Sequence, residues 1–243
     1  MPKRSAQSSS QSPTQPPPGN AGRPARRSLV DEAYRTLRER ILTSELPPGH
    51  QMLEEEAALQ LNMSRTPVRE ALIRLEREGL VRFVPRHGVQ VVPLSARDMR
   101  EINELLSCLE ATAAEKLASR RLSPEELAQF DAAIAAMDAA LEADDMAAWS
   151  EADYRFHCLL LELCDNSRLH AVARMFLDQA HRFRRQSINL REKPVYSTVN
   201  HAAVVEAIRR GDPQTAVEIH RSHKRRWTRE LDDLLSRMPD VEE

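Results

Sequence analysis

Three helical segments, each with its own start and stop signal, and two short β-type runs follow one another within residues 28–92. That order leaves few folds open. Ser28-Leu-Val-Asp31 has the form of a capping box. Leu29, Ala33, Leu37 and Ile41 then recur at helical spacing, until Pro47-Pro48-Gly49 stops the run. A second helix is predicted from Leu53 to Leu61, with Asn62 as a left-handed stop. A third follows Ser64-Arg65-Thr66, with Ser64 or Thr66 as cap and Pro67 at the first helical position. It carries Val68, Ala71, Leu72 and Leu75 inward and runs to Gly79. Leu80–Val84 and Gly88–Val92 are β-like, joined by a turn through Pro85-Arg86-His87. Three helices and a hairpin in so short a span predict a winged helix-turn-helix over 28–94.

The flanking regions differ. Residues 1–27 are rich in Ser, Gln and Pro and nearly free of apolar side chains, so a disordered basic tail is expected there. Ser95-Ala-Arg-Asp98 is a second capping box and opens a domain expected over 95–238, with helices at 96–121, 124–142, 146–164, 168–190, 197–210 and 213–236. The fold class is mainly α: a winged helix-turn-helix followed by an all-α bundle. The 6 glycines are too few for an all-β chain. No run approaches the roughly 18–20 apolar residues that span a bilayer, and no signal-type apolar stretch opens the chain. Three scattered cysteines, Cys108, Cys158 and Cys164, match no metal or disulfide framework. A cytoplasmic chain with reduced, buried thiols is the expectation.

The formal net charge of -2 hides opposed local fields. Residues 64–88 hold six Arg against three Glu, residues 98–178 seventeen acids against seven bases, and residues 181–229 twelve bases against four acids. In the first of these, Arg65 and Arg69 stand one turn apart at the front of the third helix. Free N–H groups at a helix N-terminus suit a phosphate. Arginine can grip guanine O6 and N7 together, and Ser64 and Thr66 are short donors for phosphate oxygens. A lone arginine pair is usually just solvated; its place in a complete three-helix-and-wing pattern is what points to DNA. The acidic run Glu54-Glu55-Glu56 is expected to face away from it.

In the bundle, Asp153 and His157 are spaced i, i+4 on one helical face and can share a cation. His201 lies on a later helix and His223 on the next. Three imidazoles and a carboxylate suit zinc, nickel, manganese or iron, and the ligands alone do not choose among them. His220, three residues before His223, competes with it, and both sit in a basic stretch that could simply be solvated.

Leu46-Pro-Pro-Gly49, Ser64-Arg-Thr-Pro-Val-Arg-Glu-Ala-Leu72, Leu75-Glu-Arg-Glu-Gly-Leu80 and Arg86-His-Gly88 resemble the GntR family of bacterial transcription regulators. The resemblance places Ser64, Arg65, Thr66, Pro67 and Arg69 at DNA-contacting positions, and His87 and Gly88 at the wing tip. Glu55 stands where some relatives carry a DNA-contacting arginine, so that contact does not carry over. Leu109-Glu110, Asp153-x-x-Phe-His157, Asn166, His201, Gly211-Asp212 and His223 resemble the all-helical FCD-type ligand-binding domain of the FadR subfamily. This implies Asp153, His157, His201 and His223 as metal ligands, with His223 chosen over His220, and a small carboxylate effector. Leu106 replaces an arginine that relatives use on that carboxylate. Arg155, Arg182 and Arg185 are candidates to supply the missing charge, and Asn166 either lines the cavity or caps a helix.

The resulting expectation is a homodimeric, effector-controlled repressor of a double-stranded DNA operator, without membrane attachment. A metal-dependent hydrolase and an effector-free architectural DNA binder are the competing readings.

Overall fold

Side-chain caps and apolar periodicity account for most element boundaries. Residues 28–237 are described in this computed structural model. The tail expected over 1–27 lies outside them. Helix α1 (Leu29–Leu42) starts at Ser28, whose hydroxyl accepts from the Asp31 N–H at 3.1 Å. A two-residue strand β1 (Gln51–Met52), helix α2 (Glu54–Gln60), helix α3 (Arg65–Arg77) and strands β2 (Val81–Val84) and β3 (Gly88–Val91) complete the head. Ser64 takes the N-cap position of α3 without a side-chain cap bond. Pro67 is therefore the third helical residue rather than the first, a place where its missing N–H still costs nothing.

The hairpin pairs Phe83 with Val89, and β1, which no periodicity signalled, adds to the other edge of β3. Gly88 makes that possible. Its φ is +78°, and a Cβ there would fall 2.4 Å from the Met52 carbonyl oxygen. Leu37, Ile41, Val68, Leu72, Leu75 and Val89 close the head's own core with no solvent exposure. Each such aliphatic side chain contributes about 1.5–3 kcal/mol relative to exposure.

The bundle comprises α4 (Ala96–Arg120), α5 (Pro124–Glu142), α6 (Met146–Glu162), α7 (Ser167–Ser187), a 3-10 turn at Ile188–Leu190, α8 (Val195–Arg210) and α9 (Pro213–Ser236). Ser95 and Asp98 form the predicted reciprocal box on α4, and Ser123 and Glu126 form another on α5. Its apolar core, from Leu94 to Leu235, is separate from that of the head. Helix α4 packs against α9 and α7, α6 against α5 and α7, and α8 against α5 and α9.

Polar contacts join head and bundle. Arg38 of α1 donates to Asp178 of α7 and to the Tyr154 hydroxyl of α6, both at 2.8 Å. Gln179 donates to the Glu78 carbonyl at 3.2 Å, and Arg182 to the Val92 carbonyl at 2.6 Å. Of the thiols, Cys158 and Cys164 are buried, and burial pushes Cys158 up to about 11. Cys108 departs from the expectation and is exposed, because it lies off the buried stripe of α4 formed by Leu106, Glu110 and Ala113. Among the described residues, no helix is long and apolar enough to cross a membrane.

Candidate functional site

Two constellations stand out. On the head, Ser64, Arg65, Thr66 and Arg69 are exposed at the N-terminal end of α3, and Arg86 and His87 are exposed at the hairpin turn. Pro67 is buried and positions α3 instead of presenting a surface. Gly88 serves the close approach of β3 to β1. The acidic run does not face away from this surface. Glu55 accepts from Arg65 Nη1 at 2.6 Å, and Glu54 accepts from Arg69 Nη1 at 3.1 and 3.3 Å. Helix α2 packs against α3, and that packing brings its first turn beside the arginines. Glu56 instead caps its own helix, accepting from the Leu53 N–H at 2.8 Å.

In the bundle, α6 supplies Asp153 and His157, α8 His201, α9 His220 and His223, and α4 Glu110. All six are buried. One donor atom each from Asp153, His157 and His201 lie within 4.8 Å of one another. His201 Nε2 is 2.9 Å and His157 Nε2 3.7 Å from Asp153 Oδ1. The His223 ring stands 4.8 Å from that of His201, at 69°. His220 turns elsewhere, with Nε2 3.3 Å from Glu110 Oε2. Neither histidine belongs to a solvated stretch.

Glu110 organises the opposite side. It lies 3.0 Å from His157 Nδ1 and 2.6 Å from Lys224 Nζ. A carboxylate behind a histidine fixes the ring's orientation and leaves its other nitrogen to a metal. Burial disfavours the Glu110 charge, yet His157, Lys224 and His220 outweigh it and hold the carboxyl well below its ordinary range. Asp153 is likewise held low against burial, by Arg184, His157 and His201. Burial lowers His201 to about 4 despite Asp153 beside it, and also lowers His220 and His223. Neutral imidazoles at His201 and His223 beside an ionised Asp153 carboxylate are protonation states that suit a divalent metal.

The donor set passes a further test. His201 Nδ1 and His223 Nδ1 are buried without a hydrogen-bond partner. Asp153, His157 and His223 border a cavity of about 20 Å³ together with Trp149, Arg184, Arg191, Ser197, Lys224 and Trp227. That is about the space of one water molecule. It suits an ion and, as it stands, excludes a larger molecule.

The proposed charge donors lie elsewhere. Arg155 pairs with Glu162 and Gln129 on the surface, and Arg185 with Glu151. Arg182 is fully buried at the junction with the head, where burial lowers it to about 10. Asn166 caps α7, accepting from the Leu169 N–H at 3.0 Å. Two other arginines border the cavity, Arg191 and Arg184, and Arg184 pairs with Asp153 Oδ2. Its signal was available: Ala173, Leu177, Ala180 and Arg184 share one helical stripe, so Arg184 falls on the buried face.

These protonation states predict acid lability. The unfolded chain takes up protons on His201 near pH 6.5, whereas the folded chain does so only near 4. Stability is therefore present above pH 6.5 and lost as pH falls toward 4, by roughly 3 kcal/mol for this group alone. Asp153 and Glu110 add losses of the same sign at lower pH. A melting temperature of metal-free protein that stays flat from pH 7 to 4.5 would contradict this.

A head that offers an arginine-bearing helix end and a wing, joined to a helical bundle with a buried Asp/His cluster, has the architecture of a DNA-binding regulator. The comparisons place it further. The family model described as bacterial regulatory proteins, gntR family, matches residues 29–91, and that of the FCD domain residues 101–226. An HTH-type transcriptional regulator of Streptomyces ambofaciens is 30% identical over 229 residues, covering 90% of each chain. One of Agrobacterium vitis is 45% identical over 130 residues, which cover 53% of this chain and 76% of that one. A solved GntR transcriptional regulator from Rhodococcus sp. RHA1 superposes with a TM-score of 0.71 at 19% identity, covering 84% of this chain and 97% of that one. The chain belongs to the GntR family of bacterial transcriptional regulators, with an FCD domain behind its head. These relatives are regulators, not catalysts, and the hydrolase reading of Asp153 and its histidines is set aside.

Proposed function

We propose that the chain is an effector-gated repressor that binds its operator as a homodimer in the bacterial cytoplasm. Ser64, Arg65, Thr66 and Arg69 contact the major groove and its phosphates, and His87 the adjacent groove. Asp153, His157, His201 and His223 hold a divalent metal, zinc being the leading choice, and the metal anchors a small carboxylate. When bound, the ion supplies a fixed positive charge for that carboxylate. Arg184, Arg191 and Lys224 are the cations of this chain that border the cavity, and Arg184 replaces the charge that Leu106 lacks. Leu105 on α4 and Val172 on α7 are exposed apolar side chains on two helices that pack together. Exposed apolar side chains of this kind favour burial against a second copy, which sets two heads on two half-sites.

One observation carries the gating. Helix α7 bears Arg184 at the Asp153 cluster, Arg182 at the Val92 carbonyl, and Asp178 under Arg38 of the head. An anion that draws Arg184 away from Asp153 acts on the same helix that holds the head. The test is the affinity of the zinc-loaded chain for an operator duplex, with and without small carboxylates. Trp149 and Trp227 both border the cavity, and the chain has 2 tryptophans, so their fluorescence reports binding independently. A bound acid should change DNA affinity by about 5–150-fold. Arg38→Ala should keep DNA binding and lose the response. Acids that alter the fluorescence without altering DNA affinity would overturn the gating.

The head makes its own prediction. Arg69→Ala should weaken specific binding by about 1–3 kcal/mol and relax one base preference, read by titration against a selected duplex. Unchanged affinity and preference would remove Arg69 from the interface. Specific binding should also fall steeply with salt through counterion release; a flat response would contradict docking through α3.

A further inference from the structure

The pairing of Glu55 with Arg65 bears on which bases the head prefers. Both side chains are 62% exposed, and the guanidinium and carboxylate lie 2.6 Å apart. Neither is locked in place by packing, so both can turn to a ligand that approaches the α3 N-terminus. Glu54 differs. It is 14% exposed, and both of its oxygens face Arg69, so it holds Arg69 in place and offers little to DNA.

A carboxylate on a DNA-facing surface is repelled by every phosphate it nears. It lowers affinity for all sequences except those in which a base amino group meets it. In the major groove, a G·C pair presents guanine N7 and O6 as acceptors and cytosine N4 as a donor, in a row. An Arg–Glu pair presents the complement: guanidinium donors, then a carboxylate acceptor. An A·T pair offers no such row, because its thymine presents O4 as an acceptor where cytosine has its amino group.

We infer that Glu55 is a specificity-determining residue, and that Arg65 and Glu55 together read one G·C base pair, Arg65 donating to guanine O6 and N7 and Glu55 accepting from cytosine N4. This rests on the reading that the α3 N-terminus enters the major groove. On other sequences Glu55 keeps only its repulsion for phosphate. It thereby widens the gap between specific and nonspecific binding while lowering both.

The test selects duplexes from a randomised library with the full-length wild type, Glu55→Ala, Glu55→Gln and Arg65→Ala, then titrates each protein against the selected and a scrambled duplex. Glu55→Ala should weaken the G·C preference at one position in each half-site by about tenfold without abolishing it, because Arg65 still grips the guanine, and should bind the scrambled duplex more tightly than wild type. Glu55→Gln keeps an acceptor for cytosine N4 without the charge, so it should retain part of the G·C preference while binding the scrambled duplex more tightly than wild type. Identical melting curves confirm that these exposed substitutions leave the fold intact. If Glu55→Ala selects the wild-type sequence with undiminished discrimination, or merely tightens binding to all duplexes equally, the assignment is overturned. Arg65→Ala separates the two layers. A changed preference in Arg65→Ala but not in Glu55→Ala defeats only the role of Glu55. An unchanged preference in both defeats the docking of α3 itself.

Discussion

Glu110→Leu should destabilise the bundle by about 3–5 kcal/mol, the usual result of stranding a buried charge. Glu110 has no solvent exposure and Lys224 has almost none. Their 2.6 Å contact gives the buried ammonium its counter-charge. Removing the carboxylate leaves Lys224 without a counter-charge and leaves His157 Nδ1 and His220 Nε2 facing an aliphatic side chain. Adding Lys224→Met should recover much of the loss, because replacing both members of a buried pair with apolar groups costs far less than removing one. Denaturant titration of the two single variants and the double variant measures this. Glu110→Leu within about 1 kcal/mol of wild type would show that the pair does not hold this part of the core. The gentler Glu110→Gln has a second readout: metal affinity should fall about 10–100-fold, as it does when a carboxylate behind a ligating histidine is lost. Unchanged metal affinity would separate Glu110 from the metal centre.

Gly88→Ala should cost the head about 3 kcal/mol, the sum of a left-handed backbone at a non-glycine residue and an overpacked contact. The added Cβ would meet the Met52 carbonyl oxygen at 2.4 Å and the Leu53 Cα at 3.0 Å. Both are backbone atoms, so no side-chain rotation relieves the clash. The strain falls on β1–β3 pairing, and it should loosen the hairpin that carries His87. Amide exchange over residues 81–91 should accelerate, and DNA affinity should fall with it. Wild-type protection across the hairpin would mean that β1 yields at little cost.

The helices were largely legible because each carries its own signals. Ser28 and Ser95 cap where expected, and α5 and α9 span 124–142 and 213–236 as predicted. What escaped the sequence depends on contacts between distant residues. β1 is two residues long and exists through pairing with β3, some forty residues on, so it has no period of its own. The direction of Glu54 and Glu55 is set by how α2 packs on α3, which local pattern does not encode. The Asp153, His157 and His201 cluster was legible from helical spacing and resemblance. The carboxylate behind His157 was visible as a residue but not as a role. Arg184 was passed over for Arg155, Arg182 and Arg185; burial separates it from Arg155 and Arg185, whereas Arg182 is equally buried but turned toward the head. A buried cation at an apolar position is a stronger pointer to a polar site than a cation on an ordinary basic face.

Zinc titration into chelator-stripped, full-length protein, read by the melting temperature, tests the Asp153/His157/His201/His223 site most directly. The melting temperature should climb with the logarithm of free zinc once the site fills, with one ion bound per chain, and Asp153→Ala should abolish both effects. A wild-type chain that takes up no zinc and melts at the same temperature at every concentration would contradict the account, and would leave the buried Asp/His cluster as a hydrogen-bonded element of the core.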